Sequence, residues 1–249
     1  MRKMRDVFYV YADFDESSYI YYGMEFKEFI LCCPVEIRNI LVTDGNYITN
    51  SFNRTWFLET AVGREEILEL SKEDLYGLGN FHWLDYDSEE DLDRCTPEEQ
   101  AEVLYLSHFG KPLKSPFFSG MNNQFVYLAH DDGWFCKLYC REMSVFREIL
   151  ANKIIEGFKA VSRRKIAPMV ESLKDQLLEM TREGLLVDFS HVYKDRKSLS
   201  LNFYTIGRFT DMDEMYNDLE KHKHRAEMRG YIQFAGGKWK CEVWSRQEK

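Results

Sequence analysis

The chain has 249 residues, 45% of them apolar and 15% aromatic, and a formal net charge of −9. That length is at the upper end of what one hydrophobic core organises, so a single domain over 1–249 or two closely packed halves is expected, with no need of disulfides. The acidic balance argues against a general nucleic-acid binder, and apolar runs such as Val7 to Ala12 and Phe29 to Cys33 fall far short of the roughly 18 residues of a membrane span.

The positive Met1 to Arg5 start is followed by an apolar stretch that ends at Asp13 without a small-residue cleavage site. No secretory signal is read there, and a cytoplasmic setting is expected. The six cysteines, at 32, 33, 95, 136, 140 and 241, form no Cys-x-x-Cys and are expected to be reduced thiols. Charge is uneven along the chain. Residues 1–110 hold 9 basic and 23 acidic side chains and residues 111–249 hold 24 and 19, so the halves carry −14 and +5.

In chain order, Val7 to Ala12 and Ser18 to Cys33 read as strands, with Gly23 a bulge or turn and Pro34 the stop, and Ile37 to Val42 reads as a third. Arg64 to Leu70 reads as a short amphipathic helix, Ser71-Lys-Glu-Asp74 as a new N-cap, and Phe81 to Tyr86 as a strand. Thr96-Pro97-Glu98-Glu99 combines an N-cap Thr, a Pro at the first helical position and a capping-box Glu. The helix it opens should run to about Phe109, present Ala101, Leu104, Tyr105 and His108 on one face, and stop at Gly110. A subdomain boundary, if the chain has one, falls in the loop at 111–120, between an acidic N-terminal half and a mildly basic C-terminal half.

Gln124 to His130 and Trp134 to Arg141 flank Asp131-Asp132-Gly133 as a hairpin. Phe146, Ile149, Leu150, Ile154, Phe158 and Val161 recur at helical spacing from Ser144, and Val170, Leu173, Leu177 and Met180 predict a second helix closed by Gly184. Leu185 to Tyr193 and Leu199 to Ile206 follow as strands. Thr210-Asp-Met-Asp213 is expected to cap a helix reaching Gly230, and a last hairpin turns on Gly236-Gly237. Hairpins alternating with helices, without β-α-β crossovers, give an α+β class: antiparallel hairpins and sheet with packed helices, including a helical pair at about 144–183.

No nucleotide loop, nucleophile elbow or zinc-binding helix motif is present. An imidazole and two carboxylates at His130-Asp131-Asp132 are candidates for acid/base or metal-assisted chemistry, with Asn122, Asn123 and Trp134 shaping a pocket. The same Asp-Asp-Gly is also what a tight turn requires. Further ligands would have to come from His82, His108, Asp85 or Asp87. Cys136 and Cys140 lie about 13 Å apart on a strand, too far for one metal, and adjacent Cys32 and Cys33 point to opposite sides of a strand. Arg163, Arg164 and Lys165 make one helix end basic, and a nucleic-acid surface requires them to merge with Arg196 and Lys197 or with Lys221 to Arg225.

Tyr22-Gly-Met-Glu-Phe26 and Asn123-Gln-Phe-Val-Tyr-Leu-Ala-His-Asp-Asp-Gly-Trp134 resemble a family of uncharacterised bacterial proteins of similar length, some labelled "oxalate:formate antiporter". The resemblance spans most of the chain and implies a soluble bacterial protein. The label implies a multi-span carrier, for which the sequence holds no spanning segment. The expected function is non-enzymatic binding, of a protein partner, a second copy or a small ligand, with no cofactor and no metal. A small metal-assisted or acid/base enzyme at His130 to Asp132 is the first alternative, and nucleic-acid binding through the C-terminal half is the second.

Overall fold

A computed structural model describes residues 6–45, 51–73, 75, 79–130, 133–162 and 164–244. Among them, thirteen strands join one sheet in which every pairing is antiparallel. The N-terminal strands are β1 (Val7–Asp13), β2 (Ser18–Tyr22), β3 (Asn39–Asp44), β4 (Ser51–Asn53), β5 (Leu58–Val62) and β6 (Phe81–Tyr86). The C-terminal strands are β7 (Phe125–His130), β8 (Phe135–Cys140), β9 (Leu185–Asp188), β10 (Tyr193–Lys194), β11 (Ser198–Thr205), β12 (Glu227–Ala235) and β13 (Lys238–Val243). Their order across the sheet is β13-β12-β11-β9-β1-β2-β8-β7-β6-β3-β5-β4, with β10 also paired to β11. The first two strands thus sit mid-sheet, with β9 to β13 on one flank and β3 to β8 on the other.

One face of the sheet carries the main core. Alternate residues such as Phe8 and Val10, Trp83, Tyr127, Leu138 and Phe203 point to it, as period-2 geometry requires. It is covered by α1 (Phe26–Cys32), α2 (Gly63–Leu70), α5 (Met143–Val161) and α6 (Glu171–Met180), the last two packed together as the helical pair. The opposite face is covered in two separate places. Helices α3 (Glu89–Arg94) and α4 (Pro97–Phe109) pack through Leu92, Val103 and Leu106 on the β3, β6 and β7 side. Helix α7 (Met212–Lys223) packs through Met215 and Leu219 on Tyr9, Ile20, Tyr22 and Phe135. No helix among the described residues is long and apolar enough to cross a membrane.

The Thr96 capping box forms with both reciprocal hydrogen bonds, and Gly110 closes α4 at φ 65°. The face of α4, however, is not Ala101, Leu104, Tyr105 and His108: Val103, Leu106 and Ser107 are buried, while Leu104 and Tyr105 are exposed. The second half of Ser18 to Cys33 is helix α1, not strand. Gly23 turns the chain at φ 90°, where a Cβ would lie 2.0 Å from the Val7 carbonyl oxygen. Past that turn, Phe26, Phe29 and Cys32 recur at i, i+3, i+6 and bury one helical face. Cys32 therefore ends a helix, with Cys33 as its C-cap.

Ser71 closes α2, its hydroxyl donating to the Leu68 carbonyl, instead of opening a new helix; Asp74 lies outside the described residues. Helix α7 stops at Lys223, and Gly230 lies within β12, where a Cβ would come within 1.9 Å of the Glu242 carbonyl oxygen. The strand expected over Leu185 to Tyr193 is broken by a 3-10 turn at Phe189–His191, whose backbone Asp188 caps by accepting from the Ser190 N–H.

Candidate functional site

Three lysines are buried among the described residues, and they differ in company. Lys153 on α5 donates to Glu28 of α1 at 2.8 Å, and Lys174 on α6 donates to Glu148 and Glu171 at 2.6 and 2.7 Å. Lys137, in the middle of β8, is 7% exposed and has no ion-pair partner among the described residues. Taking an ammonium out of water costs several kcal/mol unless a counter-charge or hydrogen bonds compensate. Lys137 differs from the other two buried lysines in having no direct ion pair among the described residues.

Sheet register puts Lys137 there. Its Cα partners are Leu128 on β7 and Ile20 on β2, so its side chain rises from the second face, between the cover of α3 and α4 and that of α7. Its ammonium stands 4.9 Å from the ring centroid of Tyr139, a cation–π contact, and the Tyr139 hydroxyl donates to the Gly110 carbonyl at the end of α4. Above it opens a cleft of about 610 Å³, walled by the β1–β2 turn at Asp15 to Ser17, the loop from Lys111 to Phe117, and Thr210 before α7. Burial holds the Lys137 amine below its ordinary range; Glu16 opposes this most, Lys111 reinforces it, and the more distant charges of Asp211 and Asp13 also oppose it. On the far side of Phe117 the Arg141 guanidinium stacks 5.0 Å from that ring, and its Nη2 is buried without a partner.

His130 ends β7 on the same face. Its Nε2 lies 3.6 Å from Asp213 of α7, and its Nδ1 is buried without a partner. His82 on β6 is its neighbour: it is 5% exposed, its Nδ1 meets the Ser107 hydroxyl at 3.2 Å and lies 3.7 Å from Asp44, and its Nε2 is also unpartnered. Burial is the chief cause that lowers the His82 pKa, with Asp44 opposing and His130 adding to it. Asp131 and Asp132 lie outside the described residues, and Gly133 donates its N–H to the His130 carbonyl as a turn does. Of the further ligands considered, only His82 comes near. His108 is exposed, Asp85 accepts from the backbone N–H groups of Gln124 and Phe125, and Asp87 faces Arg38 and Asn122. No three His, Cys, Asp or Glu side chains among the described residues are grouped to hold a metal ion.

The other sequence candidates serve the fold. Asn123 is fully buried and its amide is spent on the loop, accepting from Phe118 N–H at 2.8 Å and donating to the carbonyls of Pro116 and Phe125. Asn122 turns the chain at φ 53° and donates to Asp87, and Trp134 is buried against the α7 cover. Ser190, His191 and Asp188 touch one another, but hydroxyl and carboxylate meet the same imidazole nitrogen, Nδ1, so the group is a cap and not a nucleophile relay. Burial pushes the thiols of Cys32, Cys33, Cys95 and Cys140 up to about 12, which keeps them protonated and inert.

Arg163 lies outside the described residues, while Arg164 reaches the β10–β11 turn and donates to the carbonyls of Asp195 and Arg196. Sequence reasoning did not single out Lys137. The signal was present: Phe135-Cys-Lys-Leu-Tyr-Cys140 is a strand with one cation in an otherwise apolar run, and all six residues are buried. No family model, no curated protein and no solved structure matches the chain.

Proposed function

We propose that this is a binding protein whose ligand is a small oxyanion, a carboxylate or phosphate group, seated in the cleft above β8 against Lys137. The carrying observation is the Lys137 ammonium at the cleft floor, which forms no ion pair among the described residues where Lys153 and Lys174 have theirs. A site that leaves a buried charge unpaired in the free protein is preorganised for the opposite charge, which then gains from low local dielectric. Lys111 at the rim and Arg141 behind Phe117 add positive potential against the Asp15 and Glu16 carboxylates of the β1–β2 turn, and Ser17, Ser115 and Thr210 offer hydroxyls for orientation. The cleft's size suits a ligand of a few to some twenty heavy atoms rather than a macromolecule.

The test is a thermal-shift series with inorganic phosphate, succinate and citrate on the parent chain and Lys137→Met. Ligand at a hundred times its dissociation constant adds about 2.7 kcal/mol, a rise of a few degrees at this size. The reading predicts a rise with at least one oxyanion that Lys137→Met abolishes; no rise with any of the three, or an equal rise in the variant, rejects it.

A second reading, metal-assisted chemistry at His130, draws on the two unpartnered imidazole nitrogens of His82 and His130 on one face. It predicts that zinc or nickel stabilises the parent chain and not His130→Ala, and it fails if neither metal does.

A further inference from the structure

Among the described residues, nothing covers the second face of the sheet at one end. Helix α7 covers it as far as Leu186 and Tyr204, and beyond that β10, β11, β12 and β13 present their outward side chains to solvent. Leu199, Leu201, Phe203, Ile232, Phe234 and Trp239 take the inward positions in the main core. Register then sets out the outward ones in rows. Tyr193, Ser200, Gln233 and Lys240 form one; Asn202, Tyr231 and Glu242 form the next; and Ser198, Ala235 and Lys238 form a third. This is a hydrogen-bonding and aromatic surface, unlike the apolar positions on the buried side of the same strands.

Its rim is cationic. Arg164 bonds to the turn between β10 and β11, and Lys194 donates to the Val161 carbonyl, so the end of α5 and that turn form one surface. The Trp239 indole donates to the Ala167 carbonyl, which brings β13 alongside. Lys165, Arg196, Lys197 and Lys238 have no ion-pair partner among the described residues. Two carboxylates stand on this surface: Asp195 accepts from the Arg196 N–H, and Glu242 accepts from Tyr231 and Trp244 and lies 3.7 Å from Lys240, so four unpaired cations outnumber the one carboxylate without a cationic partner. The acidic N-terminal half cannot cancel this charge locally, because β3 to β6 lie on the opposite flank of the sheet.

We infer that this bare face binds single-stranded nucleic acid, with Tyr193 and Tyr231 as base-stacking positions and Lys197, Lys238 and their neighbours on the phosphates. Tyr193 is 68% exposed, and Tyr231 is steadied by Lys240, whose ammonium sits 5.5 Å from its ring centroid and donates to its hydroxyl. Two strand spacings and one residue pair separate the two rings, about 12 Å, a span for two or three nucleotides. An open sheet face with aromatics at such spacing accepts splayed bases and not a duplex, whose bases are stacked inside. This site shares no residue with the Lys137 cleft.

Fluorescence anisotropy of a labelled twelve-nucleotide oligouridine against the full chain tests it, with a duplex of equal length and heparin as competitors. Four phosphate contacts on a single strand give a salt slope near −2.8, so raising salt from 50 to 200 mM should weaken binding about 50-fold. Tyr193→Ala should weaken it about 5- to 10-fold and Tyr193→Trp should retain it, since any ring stacks; Lys197→Glu with Lys238→Glu should abolish it. All three sites are exposed, so the fold survives, and circular dichroism verifies this. No retention of the oligonucleotide at 50 mM salt overturns the inference. So does equal binding of heparin and duplex with no loss in Tyr193→Ala, which marks a generic polyanion patch. A dimer in light scattering that the lysine variant dissociates, with no strand bound, shows instead that the face meets the acidic half of a second copy.

Discussion

Lys153 and Lys137 lie on opposite faces of one sheet and are both buried as residues, yet one has a carboxylate at 2.8 Å and the other has an aromatic ring and an open cleft. On the helix-covered face, α1 and α5 were free to bring Glu28 to Lys153, and the core closes around a neutralised pair. On the other face, α4 and α7 stop short of each other and leave Lys137 at the bottom of a gap. The same side chain is thus structural where a partner is provided and available where none is. Buried charge identifies a site by its unfinished electrostatics, not by its burial alone.

The largest effect that sharpens this contrast is expected from Glu28→Gln, which leaves Lys153 charged and unpaired and should cost about 3 kcal/mol in urea denaturation. Lys137→Met should do the reverse, raising stability by about 1 kcal/mol because it removes a partly desolvated charge that has no ion pair among the described residues. Equal destabilisation by both would erase the comparison.

Two pH dependences follow. The Lys137 amine is depressed in the fold, so the unfolded chain binds more protons between the folded value and 10.5. Stability attributable to it therefore rises with pH through that window, and the advantage of Lys137→Met should shrink towards zero near pH 10.5. Asp85 works in the opposite sense. Burial raises its carboxyl to about 7 against the N–H groups of Gln124 and Phe125 that pull it down. The folded state then holds a proton the unfolded state has lost, so its contribution falls as pH rises from about 4 to 7. Difference melts of the parent chain against Asp85→Asn over that range should show the parent losing ground with rising pH; a flat difference removes Asp85 from the account.

Much of the fold was legible because its signals are local. The Thr96 box, the hairpin around Gly133, and the apolar spacing from Phe146 to Phe158 each depend on a few neighbouring residues, and each formed. Helix α1 was missed because Phe26, Phe29 and Cys32 sit in an unbroken aromatic and aliphatic run that reads equally as strand, and the Gly23 turn matters only against the distant Val7 carbonyl. The buried face of α4 was misjudged for a related reason. Ser107 lies inward because His82 on β6 needs its hydroxyl, a contact between residues 25 apart.

The candidate site was less legible than the fold. His130 was visible as a residue type at a turn, but its neighbours His82 and Asp213 come from other elements. Lys137 looks like an ordinary strand lysine until register sets it between Leu128 and Ile20, with no carboxylate among the described residues at ion-pair distance.

The central claim is that Lys137 awaits an anion, and the most direct measurement is its own titration. Heteronuclear NMR of the lysine side chains, assigned by Lys137→Met and followed from pH 6 to 11 with and without saturating succinate or phosphate, reads it. The account predicts a Lys137 amine that titrates below an exposed lysine in the free protein and shifts upward when the anion binds. A Lys137 that titrates with the exposed lysines, or whose midpoint is unmoved by either anion, contradicts it.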